Sequence, residues 1–141
     1  MFATAGAKTV KASYAGDSNF NASTSAGVTH NVTDFSISAS PTSQTIKAGQ
    51  KTNYKLTLTP LNGFTGTIYL NCAGLPVSST CFAPTAVSLT GPSTVSSTLT
   101  VQTSKTSPKG TYNLTFNGIC GTGSASTGGL THSAKVTLTV Q

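Results

Sequence analysis

Residues 51–59, Lys51-Thr52-Asn53-Tyr54-Lys55-Leu56-Thr57-Leu58-Thr59, alternate apolar and polar side chains. Tyr54, Leu56 and Leu58 fall on one side and Lys55, Thr57 and Thr59 on the other, the period of two that marks a β-strand with one face buried. The pattern recurs along the chain: Phe35, Ile37 and Ala39, ended by Pro41; Ile68, Leu70 and Cys72; Val95, Leu99 and Val101; Tyr112, Leu114 and Phe116; Ala134, Val136, Leu138 and Val140. Turn-forming stretches such as Asn62-Gly63, Gly91-Pro92 and Pro108-Lys109-Gly110 separate the runs. About seven strands over residues 34–141 predict an all-β, Greek-key β-sandwich. An up-and-down barrel is the alternative; an odd strand count and irregular loops favour the sandwich.

Composition agrees. Ser and Thr supply about a third of the 141 residues, only 7% are charged, and there is no Glu, Arg or Trp. Coiled coils and helical bundles need Glu, Lys, Ala and Leu in quantity, which removes those classes. With 36% hydrophobic residues in regular alternation, disorder is not expected. No apolar run approaches the length of a membrane-spanning helix, so membrane insertion is not expected. The residues after Met1 lack the basic segment and apolar core of a signal peptide, so a secreted origin implies a mature piece or an excerpt of a longer chain.

Upstream of residue 34, Val10, Ala12 and Tyr14 alternate in one run and Val28, His30 and Val32 in another, with Gly16-Asp17-Ser18-Asn19 between them. Residues 1–33 thus predict a two-stranded hairpin. Two strands alone are marginal in water, so this hairpin calls for a partner: the sandwich itself or a neighbouring molecule.

Eight residues separate Cys72 from Cys81, a loop that one disulfide can close in a Ser/Thr-rich, secreted-type chain. His30 and His132 are remote in sequence, so the thiols read poorly as a zinc site. Cys120 is either a small hydrophobe at a strand end or half of an intermolecular disulfide. All positive charge, +6 net, comes from lysine. Without Arg for bidentate contacts, nucleic acid is not an expected partner. Lys47, Lys51, Lys55, Lys105, Lys109 and Lys135 are spread along the sequence and read as solubility and edge-protecting residues, with a weak attraction to acidic polymers as the alternative.

The stretch Val10-Lys11-Ala12-Ser13-Tyr14-Ala15-Gly16-Asp17-Ser18-Asn19-Phe20-Asn21-Ala22-Ser23-Thr24-Ser25 resembles the closing strands of bacterial Ig-like tandem repeats. Asp34-Phe35-Ser36-Ile37, Leu61-Asn62-Gly63-Phe64, Gly74-Leu75-Pro76, Phe82-Ala83-Pro84, Pro108-Lys109-Gly110-Thr111-Tyr112 and Val136-Thr137-Leu138-Thr139-Val140 resemble a second, complete module. The resemblance spans nearly the whole chain through short structural motifs, so it bears on fold more than on function. It implies a partial module at 1–33 and a complete one at 34–141, in a non-catalytic extracellular or cell-surface protein. It also strengthens the Cys72–Cys81 pairing, because similar modules carry paired cysteines around the Gly-Leu-Pro loop. A remnant of two strands would leave edges open, so Val10, Ala12, Tyr14, Val28 and Val32 are the candidate self-association residues, with copies of the chain or neighbouring repeats as partners. Strand addition of this kind is head-to-tail and propagates into filaments. A passive spacer and a carbohydrate-binding appendage of a larger secreted enzyme or adhesin are the alternatives.

Little else points to chemistry, and neither an enzyme nor a cofactor is expected. Asp17 and Asp34 are the only acids and are far apart in sequence. Asp17-Ser18-Asn19-Phe20-Asn21 opens like a calcium loop, but Ala22 and Val28 occupy the positions that need Gly and Glu, which leaves an Asx-type turn. No Gly-x-Ser-x-Gly elbow occurs, and neither histidine has an evident carboxylate beside it in sequence; His132 is expected ahead of the last strand and exposed. The glycines at 121–129 read as a hairpin loop. Isopeptide crosslinking needs a Lys, an Asn or Asp and a buried acid; with Asp34 as the acid and Lys55 or Lys135 as the amine it is disfavoured, because both lysines fall on outward faces. The sequons at Asn21, Asn31 and Asn113 are what chance gives in such a composition. For stacking on surface polysaccharide, with Tyr14, Tyr54 and Tyr112 expected inward, only Tyr69, Phe20 and Phe64 remain.

Overall fold

A computed structural model describes residues 4–121 and 129–141; most of the glycine-rich stretch, 122–128, lies outside the described residues, as do 1–3. The described chain is all strand and turn. Four short strands come first: β1 (Gly6–Val10), β2 (Ser13–Tyr14), β3 (Ser23–Thr24) and β4 (Val28–Val32). Nine follow: β5 (Asp34–Ser40), β6 (Ser43–Ile46), β7 (Lys51–Leu61), β8 (Gly66–Ala73), β9 (Thr80–Phe82), β10 (Ala86–Leu89), β11 (Val95–Gln102), β12 (Gly110–Cys120) and β13 (Thr131–Val140).

The later nine form two sheets, ordered β10-β8-β12-β13-β6 and β5-β7-β11-β9. This is an Ig-like Greek-key β-sandwich. Its nine strands exceed the expected seven in part because the first strand divides: the chain leaves β7 after Ser40 and re-enters the opposite sheet as β6, parallel to β13. β9 and β10 are short edge strands on opposite sheets. The β7–β8 connection is Asn62-Gly63, both at positive φ (52° and 80°), with the Phe64 N–H donating to the Leu61 carbonyl at 3.2 Å. Because β7 and β8 belong to opposite sheets, this tight turn carries the chain from one layer to the other.

Alternation along the strands becomes burial. Tyr54 and Leu56 from β7, Leu99 and Val101 from β11, Leu114 and Phe116 from β12, and Val136, Leu138 and Val140 from β13 meet between the layers. A second cluster of Phe35, Leu58, Phe64, Ile68 and Leu89 fills the end where β5 begins. Each fully buried Leu or Phe stabilises the fold by about 1.5–3 kcal/mol relative to exposure. The Tyr112 hydroxyl donates to the Pro108 carbonyl at 2.8 Å, the tyrosine corner that pins the turn into β12 in Greek-key sandwiches. Cys72 on β8 and Cys81 on β9 are bonded, so a covalent link joins the two layers where β9 has only one strand neighbour. Cys120, the last residue of β12, is a half-buried thiol packed against the second cluster and is unbonded within the chain.

Two stability outcomes follow from this core. Leu56→Ala should lower unfolding free energy by about 2–5 kcal/mol, and Cys72→Ser by about 2–3 kcal/mol, both read from denaturant midpoints. Burial also pushes the Tyr54 phenol up to about 12 from an ordinary 10. The folded state therefore keeps a proton that the unfolded chain releases, so stability should fall as pH rises from 10 towards 12, and Tyr54→Phe should make that slope shallower.

Candidate functional site

The N-terminal strands pair only with one another: β1 with β4 and β2 with β3. β1–β4 aligns Val10 with Val28, Lys8 with His30 and Gly6 with Val32. β2–β3 aligns Tyr14 with Ser23 in a register offset by one residue, so a bulge at Ser25-Ala26-Gly27 opposite Lys11-Ala12 divides one long ribbon. The bulge is held by the Ser25 N–H on the Ala12 carbonyl and the Ala12 N–H on Ser25 Oγ, at 2.9 and 3.0 Å.

No described residue of this ribbon is buried, and Val10 is 48%, Tyr14 44% and Val28 68% exposed. Ala12 is exposed and Val32 half-buried. Tyr14 therefore does not face a core. The expectation that it points inward fails because the ribbon has no second layer over it; its hydroxyl instead donates to Asp17 Oδ2 at 2.5 Å. Asp17 organises the tip. Its other oxygen accepts the Asn19 and Phe20 N–H groups at 2.8 and 2.9 Å, an Asx turn. Gly16 is required there: at φ +84°, a Cβ would lie 2.7 Å from the Ala22 nitrogen.

At the base of the ribbon only Thr33 separates β4 from β5. Asp34 Oδ1 accepts the Phe35 N–H and lies 2.7 Å from His132 Nε2, and the His132 ring meets the Phe35 ring edge-on with centroids 4.8 Å apart. This corrects two expectations: His132 has a carboxylate beside it, and it sits half-buried within β13. The 98-residue separation hid the pair. It joins the first residue of β5 to the opposite sheet directly beneath the ribbon. Lys55 is opposite Ser40, six residues along β7 from the Asp34 partner Leu61, roughly 20 Å away, and both Lys55 and Lys135 are exposed.

The opposite end of the sandwich gathers lysines that the sequence scatters. Lys47 opens the β6–β7 turn, closed by the Gln50 N–H on its carbonyl at 3.1 Å. Lys51 begins β7, Lys105 lies against Gly49, and Lys109 precedes β12. Two buried hydroxyls fix the loops. Thr103 Oγ1 donates to the Gln50 carbonyl at 2.9 Å and accepts the Gly49 N–H at 3.1 Å. Ser107 Oγ donates to the Val77 carbonyl and accepts the Ser104 N–H, both at 3.0 Å. Among the described residues, no lysine there meets a carboxylate.

The aromatic candidates also need revision. Phe64 is 5% exposed, a core residue and not a platform, because the Asn-Gly turn folds it back over Gly66. Tyr69 and Phe20 are exposed, as expected. Phe82, on β9, is 56% exposed and was missed: its alternation with Cys81 is too short to stand out in sequence.

Comparisons with known proteins extend this description. No protein-family model matches the sequence, and no curated protein does. Solved structures do match in fold. A family 123 glycoside hydrolase from Clostridium perfringens aligns at a TM-score of 0.55 and 8% identity, over 76% of this chain and 27% of its own. Domains 4 and 5 of the S-layer protein SbsC align at 0.50 and 16% identity, over 96% of this chain and 65% of theirs. A conjugative transposon lipoprotein from Bacteroides eggerthii aligns at 0.50 and 10% identity, over 74% and 95%. These likenesses show the fold. The chain spans about a quarter of the hydrolase and 65% of the S-layer pair.

The ribbon tip makes a pH prediction. Hydrogen bonds from Tyr14, then Asn19 and Phe20, hold the Asp17 carboxyl below its ordinary 3.8. The turn is therefore fully supported above that pH and loses support as pH falls below it. Amide exchange of Asn19 and Phe20, corrected for intrinsic rates, should accelerate on acidification below 3.8, and Asp17→Asn should accelerate it at neutral pH.

Proposed function

We propose that this chain is a non-catalytic structural module of a bacterial surface or secreted protein that associates, through its N-terminal ribbon, with copies of itself or with neighbouring Ig-like repeats. One observation carries the reading: the ribbon leaves Val10, Tyr14 and Val28 exposed, although their alternation is that of a buried face. Each ribbon strand has one strand neighbour, so two outer backbone edges remain for pairing. The sandwich offers edges in return at β5, β6, β9 and β10. A donated strand would extend one of these sheets by main-chain hydrogen bonds, with alternate side chains setting register. Because donor and acceptor lie on different parts of the molecule, the contact is head-to-tail and open-ended. Likeness in fold to S-layer and lipoprotein domains supports the surface setting.

The test is light scattering after size exclusion, with negative-stain microscopy of the same sample. The reading expects assemblies well above 14.2 kDa that disappear when residues 1–33 are deleted, and that Val28→Asp weakens. A sharp monomer at high concentration would overturn it and leave a passive spacer.

A further inference from the structure

A cleft of about 210 Å³ opens at the lysine-bearing end of the sandwich, lined by Ser78, Thr80, Phe82, Gln102, Thr103 and Ser104. Strand register explains how it is assembled. Thr80 lies opposite Gln102 and Gln102 opposite Lys51, so hydroxyl, amide and ammonium groups form one row across three strands, about 10 Å from end to end. The adjacent row is Phe82, Thr100 and Asn53, with the Thr100 hydroxyl donating to Asn53 Oδ1 at 2.7 Å.

Phe82 is the anomaly in this face. Its outward neighbours are polar, yet its ring is 56% exposed, giving up the stabilisation a buried aromatic would contribute. Lys51, opposite the lining Gln102, and Lys105, next along the chain from the lining Ser104, have no carboxylate partner, and the sequence's two acids lie in the ribbon tip and at the ribbon's base. The buried Thr103 and Ser107 hydroxyls knit the Gln50, Val77 and Ser104 segments together, so the walls are set before a ligand arrives.

A flat apolar ring, side-chain hydroxyls and amides, and unneutralised ammonium groups together match one chemistry. Sugar C–H faces stack on an aromatic ring, hydroxyls exchange hydrogen bonds with Gln and Thr, and an acidic substituent meets Lys. We propose that this cleft binds an anionic polysaccharide, through sugar units bearing carboxylate or phosphate. The larger groove of about 530 Å³ beside β6, lined by Thr42, Ser43, Asn113, Thr115 and Lys135, has no aromatic ring and fits this ligand less well. Nucleic acid fits less well too, because the chain has no Arg to fork onto phosphate.

The full chain would be titrated with polygalacturonate and with poly(glycerol phosphate), dextran serving as the neutral control, by calorimetry at low and physiological salt. At least one anionic polymer should bind saturably and dextran much more weakly. Phe82→Ala should weaken binding by about tenfold or more, and Lys51→Gln with Lys105→Gln should both weaken it and flatten its salt dependence. Lys8→Gln with Lys135→Gln, away from the cleft, should change affinity by less than about twofold. Unchanged melting temperatures would show that the variants fold. No saturable binding to either polymer, equal losses from the remote lysines, or tighter binding of a DNA oligonucleotide would each overturn the proposal. Phe82, Lys51 and Lys105 lie outside the ribbon, so the outcome of their substitution is independent of self-association.

Discussion

Everything in this molecule depends on one contact: the inner faces of two sheets closing over Tyr54, Leu56, Leu99, Leu114, Phe116 and Leu138, all wholly buried. Hydrophobic burial is non-directional, so it sets no register by itself. Register comes from the pleat, because a one-residue slip of β7 would send Lys55 and Thr57 into the core and Leu56 and Leu58 into water. With only 7% charged residues, the chain has few ion pairs to help specify its fold. Alternation, the Asn62-Gly63 turn, the tyrosine corner and the inter-layer disulfide do that work together.

The same constraint makes the ribbon conspicuous. β12 and β13 show what a hairpin becomes when a second layer covers it: Leu114, Phe116, Val136 and Leu138 disappear from solvent. The ribbon repeats the alternation without the cover. Val28-Thr29-His30-Asn31-Val32 even echoes Val136-Thr137-Leu138-Thr139-Val140 in its valines and first threonine. What holds the ribbon together is local: the Asx turn at Asp17, the bulge at Ser25 and the backbone ladder. What orients its base is the Asp34–His132 contact, placed where the only connecting residue enters the sandwich.

Polar groups are spent with economy at the other end. Thr103 and Ser107 are the buried polar residues of the described chain, and each satisfies several backbone groups from neighbouring loops. An unpaired hydroxyl there would cost stability, whereas a fully bonded one fixes loop geometry. Lysines and Phe82 are displayed on that rigid support. The two ends therefore differ in kind: one presents backbone edges and apolar side chains, the other a charged and aromatic surface.

Period-two alternation and turn chemistry are local properties, so the sequence by itself determined the all-β class, the inward sets on β7, β8, β11, β12 and β13, the Asx turn at Asp17 and the Cys72–Cys81 pairing. It could not determine what depends on contacts between distant segments. The division of the first strand into β5 and β6, the His132–Asp34 pair, the burial of Phe64, the exposure of Tyr14 and Phe82, and the gathering of Lys47, Lys51, Lys105 and Lys109 were decided by the tertiary structure. The physical reason is the same for each. Alternation says that a side chain faces one side of its strand, and only the packing of the layers says whether another sheet or water lies there.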